Sequence, residues 1–78
     1  MQAQVMSIDI MEHIVWIIEI TAIEFFNGDK TMAYETLKNT GLYDIYKDHY
    51  ETTHTLGSEY LLSEIKEHFT KNGVEFTC

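Results

Sequence analysis

The stretch from Ile8 to Phe26 is rich in isoleucine, contains neither glycine nor proline, and yet carries four carboxylates, Asp9, Glu12, Glu19 and Glu24. Each feature removes a class of structure. A carboxylate at the bilayer centre costs about 2.5–3.5 kcal/mol even on insertion scales, so four of them exclude a membrane span. Isoleucine and valine favour strands, but about eighteen residues without a turn signal is long for a strand. The stretch is therefore predicted to be a helix. Ser7 or Asp9 caps its start, a side-chain oxygen accepting a free N–H of the first turn. Asn27-Gly28 closes it, because glycine accepts the left-handed conformation common at helix ends.

Three more helical segments follow. The second runs from Asp29 or Thr31 to Asn39-Thr40-Gly41, with Met32, Ala33, Thr36 and Leu37 on one side. The third, Leu42 to about Tyr50, sets Leu42, Ile45, Tyr46, His49 and Tyr50 at i, i+3, i+4, i+7 and i+8, an aromatic inward face. Residues 51–57 read as a turn. The fourth is capped near Ser58, directs Leu61, Leu62, Ile65 and Phe69 inward, and ends at Asn72-Gly73. Val74-Glu75-Phe76 alternates and reads as a short extended C-terminal tail. The expected fold is all-α: a single helical domain over 1–78, a small bundle of about four helices with the first long and central, and residues 1–6 and 77–78 mobile. In 78 residues its core is thin, since a chain this short seldom gains more than ~3–5 kcal/mol from one core. Cys78, the sole cysteine, offers no disulfide or zinc cage to supplement it.

Charge narrows the partners. Five lysines and no arginine stand against 13 Asp and Glu, a net charge of −8. Nucleic-acid affinity rests on cations that neutralise phosphates, and anionic membrane surfaces need the same. Neither is an expected partner. A basic protein is, because an acidic field speeds that encounter. The first five residues lack the basic region of a secretory signal, and an unpaired cysteine fits a reducing compartment. A cytoplasmic protein is expected.

Catalytic and metal chemistry find little support. His13, His49, His54 and His68 form no recognisable ligand spacing, and the Glu64–His68 pair lacks a third ligand. Cys78 is terminal, and Ser58 and Ser63 sit in no nucleophile elbow. Without a nucleophile, base and orienting group no catalytic assignment stands, so neither an enzyme nor a metal or other cofactor is expected. A helix-turn-helix across Gly41 would present Leu42 to Asp48, with two aspartates against one lysine, which is unsuited to reading guanine.

The first helix has more apolar surface than one side can bury. At 100° per residue, Ile10, Met11, Ile14, Ile17, Ile18 and Phe25 share a broad face. Trp16, Ile20 and Ile23 form a second stripe among the acids. Carboxylates are rarely buried unpaired, so Trp16, Ile20 and Ile23, with Glu12 and Glu19, are the candidate partner-binding residues; burial of the stripe in the protein's own core is the alternative.

Tyr50, His54-Thr55-Leu56-Gly57 and the following Glu59-Tyr60-Leu61-Leu62 with Glu64-Ile65 resemble a family of short bacterial proteins of unknown function. Its members share an HTxG turn opening an apolar EY(I/L)(V/L)xxI helix. The isoleucine-rich first helix with Glu19, the Asn27-Gly28-Asp29 break and Tyr34…Leu37 are similar too, so the likeness spans residues 8–76. The chain departs from the pattern at Thr53, where the family is expected to carry an aliphatic residue. Members of that family are encoded beside larger ADP-ribosyltransferase-like proteins, an arrangement typical of toxin–antitoxin pairs. The resemblance therefore implies an accessory or neutralising role, with no catalytic residues to carry over. On physical grounds His54, Thr55 and Gly57 make a structural turn: Thr55 or Ser58 caps the last helix, and Gly57 permits a close approach. The expected function is that of a small acidic, non-enzymatic protein-binding module, with a cognate, ADP-ribosyltransferase-like protein as partner. A homodimer completing its own core and an acidic nucleic-acid mimic are the alternatives.

Overall fold

The computed structural model describes residues 8–75; the expectations for residues 1–6 and 77–78, the Ser7 cap and Phe76 lie outside them. Five helices follow one another: α1 Ile8–Phe25, α2 Lys30–Asn39, α3 Leu42–Asp48, α4 Tyr50–Thr53 and α5 Ser58–Lys71. No strand occurs among the described residues. The fold is a small all-α bundle in which α1 packs against α2, α3 and α5.

The breaks are made by the residues that announce them. Asn27 (φ 57°) and Gly28 (φ 90°) both turn left-handed after α1. The Gly28 N–H then reaches back to the Ala22 carbonyl at 2.8 Å. Asp29 caps α2, accepting from the Met32 N–H at 3.1 Å. Gly73 (φ 72°) ends α5, and the Val74 N–H donates to the Phe69 carbonyl at 2.9 Å. That bond brings Val74 onto the core, where it is half-buried, as the Schellman arrangement requires of the residue after the turn.

The core is built from Ile14, Ile17 and Phe25 of α1, Ala33 and Leu37 of α2, Leu42 and Tyr46 of α3, and Leu61, Ile65 and Phe69 of α5. Phe69 meets Phe25 edge-on at 5.6 Å and Phe26 at 6.0 Å. Aromatic pairs of this geometry add about 0.5–1.5 kcal/mol beyond the area they bury.

Three expectations are corrected. The third helix does not reach Tyr50: it stops at Asp48, His49 leaves helical geometry (φ −115°, ψ 38°), and Tyr50–Thr53 form a separate turn of helix. Part of the expected 51–57 turn is thus helical. Its inward face is also narrower than the spacing suggests. Leu42 and Tyr46 are buried, whereas Ile45 and His49 are exposed, because a helix of two turns seats only one i, i+4 row on its neighbours. Finally, Met11 is not on the buried face of α1. That face comprises His13, Ile14, Ile17, Thr21, Ala22 and Phe25, and the other helices leave Ile8, Met11 and Val15, in the first half of α1, exposed.

Candidate functional site

The uncovered side of α1 gathers apolar side chains that a self-sufficient core would enclose. Ile8, Met11 and Val15 are 71%, 49% and 53% exposed. With Glu12, Trp16 and Glu19 they line an open, mostly apolar groove of ≈350 Å³. A second groove of ≈360 Å³ adjoins it, sharing Val15 and Glu19 and reaching across Ile18 to Lys30, Thr31 and Tyr34 of α2. Trp16 is half-buried, its inner side packed on the core. Glu19 is held by Lys30, Nζ to Oε2 at 3.5 Å, while Glu12 is exposed. Such a surface lacks the walls that surround a small-molecule ligand, and apolar patches rimmed by charge mark sites of association.

Of the candidate residues, the structure brings Trp16, Glu12 and Glu19 together in this groove and leaves out Ile20 and Ile23. Ile20 is half-buried and Ile23 is 74% exposed. Ile8, Met11 and Val15 were not foreseen in this role. Their signal was present, in the 3, 4, 3 spacing of Ile8, Met11, Val15 and Ile18.

A second cluster joins α1 to α4. His13 is 8% exposed, lies 5.8 Å from the Trp16 ring, and meets Tyr50 edge-on at 5.3 Å. The Thr53 hydroxyl donates to the His49 carbonyl at 3.0 Å, so its oxygen accepts from His13 Nε2–H at 3.2 Å. Burial, helped by the charge of His54, holds the His13 pKa below its ordinary value and favours the neutral ring. Thr53, where the sequence departs from the resemblance, is thus the residue that satisfies a buried histidine. His54 Nδ1–H donates to the Tyr50 carbonyl at 2.7 Å, and its ring stacks on Tyr50 at 4.4 Å.

The turn does its capping differently from expectation. The Thr55 hydroxyl donates backward, to the Thr52 carbonyl at 3.0 Å. The residue at the N-cap of α5 is Gly57, with ordinary extended geometry (φ −76°, ψ 162°) and no side-chain cap bond. Ser58 is already helical, and no neighbour lies within 4 Å of where a Gly57 Cβ would stand. No close approach is made there.

Glu64 and His68 have separate structural duties. Tyr46 Oη donates to Glu64 Oε1 at 3.3 Å. His68 Nε2 donates to the Thr40 carbonyl at 3.0 Å, tying α5 to the end of α2. Burial first, then the Glu64 charge and hydrogen bond and the neighbouring Tyr60, raise the Tyr46 pKa, so the phenol stays protonated. Among the described residues no group of three or more His, Cys, Asp or Glu is placed to hold a metal ion. None of the described helices is long and apolar enough to cross a membrane.

A family model described as "Protein of unknown function (DUF3791)" matches residues 12–72. No curated protein and no solved structure matches the chain.

Proposed function

The chain belongs to the DUF3791 family, and we propose that it works as a non-enzymatic protein-binding module whose interface is the uncovered face of α1. The observation that carries this reading is the groove of Ile8, Met11, Val15 and Trp16 with Glu12 at its rim. Desolvating that apolar surface contributes a gross gain of about 25 cal/mol per Å² buried, offset by the ordering cost of association, while carboxylates at the edge stay wet, as they do at the rim of ordinary interfaces. The net charge of −8 steers it toward a basic surface.

In its finer form, the partner is an ADP-ribosyltransferase-like protein encoded alongside, and this chain is the accessory or neutralising member of the pair. That form is supported by the resemblance of the His54–Gly57 turn and the helix after it to proteins with such neighbours. The test is co-expression of the tagged chain with its untagged genomic neighbour. Wild type is expected to retain the neighbour through purification. Val15→Glu, inside the groove, is expected to lose it, and Ile23→Glu, exposed but outside the groove, to keep it. Helical content checked by circular dichroism should be unchanged in both. A neighbour that never co-purifies sinks the finer form, and retention by Val15→Glu sinks the interface.

A further inference from the structure

We infer that the exposed face of α1 is half of a coiled-coil seam whose missing strand is an amphipathic helix of another protein, with Lys or Arg facing Glu12 and Glu19; this rests on the reading of that face as an interface. Ile8, Met11, Val15 and Ile18 follow one another at intervals of three, four and three residues, the a, d, a, d order of two heptads. The first three are exposed, Ile18 is half-buried against the core, and the next a and d residues, Ala22 and Phe25, are buried in it, so the seam ends at Ile18. Counted in that register, Glu12 and Glu19 occupy both e positions, while both g positions, Ile14 and Thr21, are buried in the protein's own core. The seam therefore offers charge on one flank only. Seven residues of helix separate the two carboxylates, about 10 Å along the axis, so a partner helix meets both with cations one heptad apart.

Charge also decides between occupants. A second copy laid antiparallel would set e against e, bringing Glu12 and Glu19 of one chain against those of the other. Laid parallel, it would set e against g, and the g residues are inaccessible. Each copy further carries −8. A basic helix meets none of these obstacles. The Lys30–Glu19 pair is largely exposed and such pairs contribute little, so Lys30 does not close the site.

Synthetic peptides of three heptads with Leu at every a and d position provide the probe: one with Lys at e and g, one with Glu there, and a scrambled version of the Lys peptide. Binding to the full chain is read by fluorescence anisotropy at low and physiological salt. Wild type is expected to bind the ordered Lys peptide about tenfold more tightly than either of the others, since two opposite-charge contacts become two repulsive ones in the Glu peptide. The Glu12→Lys, Glu19→Lys double variant is expected to reverse the preference toward the Glu peptide, although its net charge remains negative. A double variant that still prefers Lys, a scrambled peptide that binds as well as the ordered one, or no binding at all overturns the inference. So does sedimentation showing wild type to dimerise until Val15→Glu is introduced. If the double variant loses its helicity, the ordered-against-scrambled comparison on wild type still decides. Loss of the genomic neighbour on Val15→Glu with no Lys-over-Glu preference would refute the seam and leave the interface standing.

Discussion

Replacing Tyr46 with alanine is expected to bring the protein to the edge of unfolding, and comparison with Tyr46→Phe separates the reasons. The ring is 1% exposed, in the core shared by all the longer helices, and deleting a buried aromatic of this size costs about 3–5 kcal/mol. Its hydroxyl contributes less. At 3.3 Å the bond to Glu64 is longer than the ~2.7–2.8 Å usual for O–H···O, and Glu64 is exposed, so water replaces the lost donor. Tyr46→Phe is therefore expected to cost about 0.5–1 kcal/mol, a fall in Tm of roughly 2–8 °C for a domain of this size. Against the ~3–5 kcal/mol such a core supplies, the alanine variant leaves little. Urea titration followed by far-ultraviolet circular dichroism measures both. A further arm uses alkaline pH. Because folding raises the Tyr46 pKa, the folded state holds its proton where the unfolded state has released it. Stability must then fall as pH rises above about 10, and Tyr46→Phe should remove that part of the decline. A Tyr46→Ala variant with a urea midpoint near wild type would refute the argument and make α3 peripheral.

The Thr21 hydroxyl is buried with no hydrogen-bond partner, so Thr21→Val, which keeps the shape, is expected to raise stability by about 1 kcal/mol in the same titration. His13 is held neutral in the fold; as pH falls below about 6.5 the unfolded chain takes up a proton that the folded one refuses, and stability falls until the lowered folded pKa is reached. Urea midpoints measured across that range should show a step that is lost in His13→Gln, and an identical slope in the variant would exclude His13 as its source. Gly57→Ser is expected to stabilise by about 0.5 kcal/mol by supplying the absent cap, whereas Gly41→Ser, at φ 86°, should cost about 1–2 kcal/mol; thermal melts showing the same sign for both would contradict the backbone argument.

The sequence by itself determined the order of the four longer helices, because the residues that separate most of them act locally. Asp29 caps, and Asn27, Gly28, Gly41 and Gly73 turn left-handed, whatever packs nearby. Helix periodicity likewise marked Leu37, Leu61, Ile65 and Phe69 as buried. Tertiary structure decided which side of α1 is covered. Isoleucines lie nearly all round that helix, so the hydrophobic pattern has no single direction, and only the placement of α2, α3 and α5 exposes Met11 and Val15 while burying His13 and Thr21. It also decided the break at His49, where Tyr50 and Thr53 turn toward a histidine 40 residues away from Thr53 in sequence. No local spacing carries that bond. The candidate site was legible in part: Trp16, Glu12 and Glu19 line it, but the stripe drawn through Ile20 and Ile23 leaves its centre, because an angular count of apolar residues does not know where the neighbouring helices stand.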